Sequence, residues 1–243
     1  SITTGFFNTA FGNWALHNTT SGDENTAIGL NALKFNTTGE FNTAVGTTAL
    51  FRNTTGQTNT AIGNQALREN TTGLQNTAVG YRPLQTNTTG YFNTAVAYRA
   101  LEDNTTGYGN TGIGLHALSN NTTGYYNSAI GMYSMDAITT GRGNTGLGYY
   151  AGNSVSQKAD AINSVALGSY SYTTADNQLR LSDSLTRITI LGISRGGVDY
   201  ALCDSLGDGQ FWVARPVATA TNTLTLENKR WKARVGSTTS SGT

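Results

Sequence analysis

Two apolar columns recur along residues 1–151 with a constant 17-residue period. The first lies within the motif Asn-Thr-Ala-aliphatic-Gly, which begins at Asn8, Asn25 and Asn42 and returns with small variations up to Asn144. A fixed short period is the mark of a solenoid, in which each repeat forms one coil and buries its apolar side chains by stacking on its neighbours. The pattern therefore predicts nine stacked coils. The first column is Phe11, Ile28, Val45, Ile62, Val79, Val96, Ile113, Ile130 and Leu147, and the second is Leu16, Leu33, Leu50, Leu67, Leu84, Leu101, Leu118 and Met135.

Each coil is too short to contain helices, because two helices and their turn need about 34 residues. β-branched residues, with Gly at the turn positions, instead favour short strands. Two strands of about five residues and two corners fill one coil, and Gly fits the corners because it accepts a positive φ. Since hydrogen-bonded strands lie roughly 4.8 Å apart, nine coils would rise by roughly 40 Å. The sequence therefore predicts an all-β fold, a parallel β-roll.

Strand alternation divides the motif between two faces. Thr and the aliphatic residue share one face, and Asn, Ala and Gly share the other. An Asn at every rung can form a ladder of amide hydrogen bonds along the solenoid. The thin interior holds one aliphatic column, and the spacing leaves open which of the two columns faces outward. A whole column of exposed aliphatic residues exceeds what a monomer usually tolerates, so association of several chains is expected.

The regular pattern ends near residue 151, and the next related motif begins at Asn163, out of step with the period. Residues 152–193 are interpreted as an irregular last coil and a neck-like transition. Residues 194–235 are expected to form a small β-rich C-terminal region, and residues 236–243 a flexible tail or linker. Because the chain begins with Ser1 rather than Met, a processed product and a fragment both stay open.

Composition and charge exclude several classes of partner. Charged residues make up 12% of the chain, against about 25% in ordinary globular domains. The net charge of +1 offers no footprint for nucleic acid, and the basic stretch from Lys229 to Arg234 is interpreted as a strand edge protected by its charges. No apolar run approaches the roughly 20 residues that span a bilayer, so no membrane insertion is expected.

The residues that could support catalysis are scattered. His17 and His116 lie far apart and have no Cys, Asp or His at metal-ligand spacing. Cys203 is the only cysteine and is expected to be buried. The sequence therefore predicts a protein that is not an enzyme and that holds no cofactor and no metal.

The repeat resembles those in the head domains of trimeric autotransporter adhesins and in the trimeric fibres of bacteriophage tails. The match is sharpest at Asn163-Ser164-Val165-Ala166-Leu167-Gly168-Ser169-Tyr170-Ser171, which is similar to the adhesin-head motif Asn-Ser-Val-Ala-Ile-Gly-x-x-Ser. The segment from Asn177 to Ile190 resembles, more weakly, the neck that closes such heads. The resemblance covers residues 1 to about 193. It implies a left-handed parallel β-roll and a homotrimer.

Together these observations favour a structural and receptor-binding fibre protein. It would attach a virus, phage or phage-tail-like particle to a host cell surface through a glycan or protein receptor, and its location would be the virion. One alternative is a bacterial trimeric surface adhesin head, located outside the cell. A second is an ice-binding solenoid, because Thr43, Thr60, Thr77 and Thr94 recur at successive rungs.

Two regions are candidates for receptor binding. Tyr, Trp and Arg are the residue types that most often dominate binding interfaces. The irregular C-terminal region supplies Tyr200, Phe211, Trp212, Arg215, Arg230 and Trp231. The alternative surface lies on the later coils, where the same aromatics could instead pack between chains of a trimer. It consists of Tyr81, Tyr91, Tyr98, Tyr108, Tyr125, Tyr133 and Tyr149.

Overall fold

A computed structural model describes residues 4–154 and 156–182 and four C-terminal strands at 201–203, 212–214, 222–227 and 230–235. The first unit, Ser1–Ser182, contains one parallel sheet of eleven strands in chain order. Each strand is short and pairs with the equivalent residues of the next coil, so Thr43 lies beside Thr60 and Val45 beside Ile62. The strands are β1 Thr9–Phe11, β2 Thr26–Ile28, β3 Thr43–Val45, β4 Thr60–Ile62, β5 Thr77–Val79, β6 Thr94–Val96, β7 Thr111–Ile113, β8 Ser128–Ile130, β9 Thr145–Leu147, β10 Val165–Leu167 and β11 Leu179–Leu181.

The predicted parallel β-solenoid of 17-residue coils is confirmed, but each coil contains one short strand rather than the expected pair of longer ones. The rest of the coil is made of turns. In the coil that starts at Asn42, three non-glycine residues have the left-handed backbone conformation, with φ of 55° at Thr48, 48° at Leu50 and 57° at Thr58. This region costs a non-glycine residue roughly 1–2 kcal/mol.

Hydrogen bonds between coils offset this cost. The backbone N–H of Leu50 donates to the Ala66 carbonyl of the next coil at 3.0 Å, and that of Thr48 donates to the Leu30 carbonyl of the preceding coil at 2.9 Å. The left-handed residues thus turn their amides along the solenoid axis. A pattern of left-handed positions in every coil has no signature in a hydrophobicity pattern, so the second strand was wrongly expected.

Glycine occupies the corner that follows β1–β5 and β7–β10, where a side chain would meet the next coil. At Gly46 φ is 133°, and a Cβ there would lie 2.5 Å from the Gly63 carbonyl oxygen of the next coil. Ala97 stands at the equivalent position with φ of 112°.

The interior is filled by small and aliphatic side chains. Ala44, Ala49 and Leu50 are fully buried in one coil, and the equivalent residues of the neighbouring coils continue the cluster. The Leu column therefore forms the core. The column from Phe11 to Leu147 faces outward instead, with Ile62 41% exposed and Leu147 44% exposed. This settles which aliphatic column lies inside, a question that the sequence left open.

The predicted asparagine ladder runs along the start of each strand. The side-chain Nδ2 of Asn59 donates to Oδ1 of Asn42 at 3.1 Å and to the Gly73 carbonyl at 2.9 Å, while the backbone N–H of Asn59 donates to the same Asn42 Oδ1 at 3.0 Å. One buried amide thus joins two coils and one corner. Such networks matter because a buried polar group without a partner costs about 1–3 kcal/mol.

A second asparagine ladder lies at the same corner, in the Asn-Thr-Thr-Gly turns, and its amides donate to the same Gly carbonyls as those of the first ladder. Asn53 Nδ2 donates to Asn36 Oδ1 at 2.8 Å and to the Gly56 carbonyl at 2.9 Å. The ladder runs from Asn36 to Asn121 and stops where Thr19 and Ile138 take the Asn position. At its two ends, Thr19 Oγ1 and Asn121 Oδ1 are buried without a hydrogen-bond partner.

The solenoid continues beyond the regular array, with two coils of unequal length. Ser164, not Asn163, takes the ladder position, and its backbone N–H donates to Asn144 Oδ1 at 3.0 Å across a step of 20 residues. Gln178 follows Ser164 after a shorter step of 14 residues. Val165 pairs with both Thr145 and Leu179, so Leu179–Leu181 is a further rung of the same sheet. The step at the end of the array is therefore one residue longer than an alignment on Asn163 indicates.

The second unit spans Asp183–Thr243. Its described strands form two antiparallel pairs, β12 Ala201–Cys203 with β13 Trp212–Ala214, and β14 Asn222–Glu227 with β15 Arg230–Val235. A β-rich region over residues 194–235 stays a prediction.

Removal of one amide from the first ladder should weaken the whole solenoid. Asn59→Ala removes the acceptor of the Asn76 backbone N–H and one of the two acceptors of Asn76 Nδ2. The Gly73 carbonyl also loses one of its two amide donors. A buried donor left without its partner costs about 1–3 kcal/mol. We expect a clearly lower midpoint of urea unfolding. Thr72→Ala, at an exposed position of a neighbouring turn, is the control and should change the midpoint little. Equal midpoints for the two variants would contradict the role of the ladder.

Extension of the second ladder should instead stabilise the protein. Thr19→Asn places an amide oxygen within the column where Asn36 Nδ2 now bonds only to Gly39, and one added buried hydrogen bond contributes about 1 kcal/mol. The melting temperature should rise. Thr19→Val, which removes the unpaired hydroxyl without adding an acceptor, separates ladder extension from relief of the unpaired group, and Thr19→Asn should exceed it.

Candidate binding surfaces

The first candidate surface is the outer face, which we define as the first and third side chains of β1–β11. These are Thr or Ser and an apolar residue in β1–β9, and two apolar residues in β10 and β11. Thr60 and Ile62 of β4 lie beside Thr43 and Val45 of β3, and the same register continues along the sheet. Its aliphatic members are exposed or half-buried at every rung. A continuous apolar strip of this length is larger than the exposed patches of most monomers.

The leading flank borders the outer face on one side. It consists of the two residues that precede the Asn of each coil, such as Tyr125 and Tyr126 before Asn127. Tyr91, Tyr108 and Tyr125 stack in this column with ring centroids 4.9 Å apart and interplanar angles of 6° and 4°. The guanidinium of Arg142 lies 5.9 Å from the Tyr125 centroid, at the end of the stack. The distance between ring centroids matches the rise of one rung, so this tyrosine stack follows directly from the backbone repeat.

Two rings of the leading flank lie across this stack. Phe92 meets Tyr91 at 73°, and Tyr126 meets Tyr108 at 81°. Tyr126 fits because Gly109 occupies the equivalent position one coil earlier, where a Cβ would lie 2.6 Å from the Tyr126 ring. These two rings are the more exposed members, at 54% for Phe92 and 62% for Tyr126.

The trailing flank borders the outer face on the other side and consists of the two residues that follow the corner Gly, or Ala97, of each coil. Tyr81 stacks on Tyr98 at 5.2 Å and 11°. A second stack joins His116 to Tyr133 at 5.2 Å and 6°. It continues through Tyr150, whose ring centroid lies 4.8 Å from that of Tyr133.

The seven tyrosines predicted as the alternative surface are therefore divided between two flanks. Tyr91, Tyr108 and Tyr125 belong to the leading flank, and Tyr81, Tyr98, Tyr133 and Tyr149 to the trailing flank. The outer face separates them, so they do not form one cluster. Sequence reasoning missed Phe92 and His116 as members of these stacks, although His116 and Tyr133 occupy equivalent positions of successive coils.

The C-terminal candidates are only partly described. Tyr200, Phe211 and Arg215 lie outside the described residues. Trp212 lies in β13, opposite Cys203, while Arg230 and Trp231 lie in β15, opposite Glu227 and Leu226. Receptor binding by these residues stays a prediction.

The carboxylate of Glu102 is buried, although its sequence context predicts exposure to solvent. As adjacent acidic residues, Glu102 and Asp103 are predicted to form a solvated surface pair. Glu102 is instead buried and forms ion pairs with Arg99 and Arg82. The hydrogen bond from Arg99 to Glu102 raises the pKa of the Arg99 guanidinium above its ordinary value. Arg99 lies on the same coil as Glu102, and Arg82 lies on the preceding coil. The three-residue ion-pair cluster therefore depends on the stacking of these coils.

Within residues 4–154 and 156–182 and the four later strands, no group of three metal-ligating side chains occurs. The same part of the chain has no helix that is long and apolar enough to cross a membrane. No family model, curated protein or solved structure matches the chain.

Tyr108, in the middle of the leading-flank stack, should titrate later than free tyrosine. Partial desolvation raises the pKa of the Tyr108 phenol above its ordinary 10.0, and the phenols of Tyr126, Tyr125 and Tyr91 raise it further. Because the folded-state pKa is the higher one, this group's contribution to stability is complete below about pH 10 and is lost as the pH rises through the folded value. Ultraviolet titration of the phenolate should show a late component that Tyr108→Phe reduces, and unchanged curves would contradict the assignment.

Proposed function

We propose that this chain is a homotrimeric fibre segment that attaches a virus, phage or phage-tail-like particle to a host cell surface. The observation that carries the trimer is the outer face, an exposed apolar strip along the entire sheet of a solenoid whose other apolar column is fully buried. Three copies around one axis would cover this strip, and cyclic closure would stop further growth.

The shape of the first unit supports a role in extension. Eleven rungs at roughly 4.8 Å give a sheet roughly 48 Å tall, built from many copies of one coil. The resemblance to tail fibres and adhesin heads agrees with such a shaft and implies left-handed winding. A fibre of this kind places its binding residues on its sides or at its end.

A bacterial surface adhesin head is the alternative within the same physical class. It shares the trimer and the shaft, so the sequence that flanks this segment in its gene separates the two. An adhesin head is followed by a stalk and a membrane anchor, and a fibre is joined to a particle.

Ice binding is the second alternative, since the outward threonines repeat in register along a parallel sheet. The aliphatic column shares their face, which weakens this alternative because bulky side chains interrupt the threonine array. Thermal hysteresis in a concentrated solution would favour ice binding, and its absence would remove it.

Disruption of the outer face should dissociate the trimer while the solenoid stays folded. Ile113→Lys places a charge on the strip, where its burial between chains would be costly. Light scattering should report three chains for the parent protein and one for this variant, with unchanged circular dichroism. Thr123→Lys, at an exposed corner turn, is the matched control and should stay trimeric. A monomeric parent protein would refute the trimer.

The location of the receptor site can be tested in protein that still trimerises. Trp212→Ala and Trp231→Ala should abolish attachment of the labelled trimer to host cells, because a Trp anchor often contributes about 2 kcal/mol or more to binding. Attachment that persists in both variants would contradict the C-terminal site. It would also leave the solenoid, or a part of the fibre outside this chain, as the binding region.

A further inference from the structure

The two flanks of the outer face agree in character beside β4 and beside β6–β8, and they differ beside β2 and β9. Both flanks are polar beside β4, and both are aromatic or apolar beside β8. The four residues beside β4 are Gln57, Thr58, Asn64 and Gln65, and the four beside β8 are Tyr125, Tyr126, Met132 and Tyr133. β6 follows the pattern of β8, with Tyr91 and Phe92 on the leading flank and Tyr98 on the trailing flank.

A cyclic assembly would bring the agreeing rungs beside β6–β8 into contact between copies. A rotation about an axis parallel to the solenoid leaves the height of every residue unchanged. The leading flank of one copy then meets the trailing flank of the next copy, rung for rung. Within one chain the two flanks are separated by the outer face, so their agreement serves no contact inside the chain.

We propose that the leading flank of each copy packs on the trailing flank of its neighbour at the same rung, and that the aromatic residues beside β6–β8 form the main contact between chains. The partner is a second copy of this chain, and the inference rests on the trimer proposed above.

The size of the outer face supports the participation of the flanks. A face roughly 48 Å tall and about 13 Å wide covers only about 620 Å² in outline. A stable interface buries about 800 Å² on each partner, and in a trimer this one face must serve two neighbours. The flanks supply the additional surface.

The orientation of the rings favours a protein partner over a sugar. Tyr91, Tyr108 and Tyr125 stack on one another at small interplanar angles, so most of their faces are already covered within the chain. Their edges and hydroxyl groups stay available. Ring edges pack well on the faces of other aromatic rings, whereas a sugar ring stacks on an open aromatic face.

Cross-linking between cysteines placed on the two flanks tests this register. In a Cys203→Ser background, which removes the only native cysteine, Tyr126→Cys and Met132→Cys place one thiol on each side of β8. A short bismaleimide cannot span the strand between them within one chain, so it reports contact between chains. We expect three-chain products on a denaturing gel. A second matched pair, Gln75→Cys with Tyr81→Cys beside β5, covers the case in which Tyr126→Cys weakens assembly.

The controls separate the register from simple proximity. Tyr126→Cys combined with Leu30→Cys, six rungs apart, should give no product, and neither should any single variant. Cross-linked products from a single variant would mean that like flanks meet. Cross-linked products from the mismatched pair would mean that the register is shifted. Either result would overturn the inference.

Other outcomes distinguish this inference from the proposed function. A parent protein that is trimeric by light scattering while neither matched pair cross-links would overturn the flank contact and leave the trimer standing. If Tyr126→Ala then also abolished binding to immobilised bacterial polysaccharides, these rings would belong to a glycan site. Two-chain products without any three-chain product after complete reaction, together with a two-chain mass by light scattering, would support the flank contact and refute the trimer.

Discussion

The buried asparagine amides set the geometry on which the rest of this solenoid depends. At most rungs of the first ladder, the amide accepts from the backbone and side chain of the next Asn and donates to a corner carbonyl, as Asn42, Asn59 and Gly73 illustrate. Because Asn must return to the same place in every coil, the step between ladder positions is held constant. Where Ser164 replaces Asn, the step lengthens before it and shortens after it, to 20 and 14 residues respectively.

The same constraint determines what the surface looks like. The amides and the small Ala side chains fill one side of the interior, so a single Leu column completes the core. The aliphatic residue of each strand is left on the outside. The apolar outer face is therefore a direct result of a coil too narrow to contain both columns, and the proposed association would follow from the same geometry.

Much of this architecture could be predicted from the sequence because a repeat multiplies a weak local signal. The strand position, the Asn ladder and the division of Thr and Ala between two faces all follow from period and alternation. The left-handed turns at Thr48 and Leu50 could not be predicted, since their stabilising hydrogen bonds join residues of neighbouring coils. The separation of Tyr108 from Tyr98 by the outer face depends likewise on how the coil bends at its glycine corner.

The direction of the chain relative to the solenoid axis has a mechanical consequence. Because each coil runs around the axis and contributes only one rung to its height, tension between the ends of the solenoid would separate rungs one after another. One released 17-residue coil extends to roughly 56–61 Å, in place of a rise of roughly 4.8 Å. A solenoid of this construction can lengthen more than tenfold, coil by coil, before its polypeptide chain is fully extended.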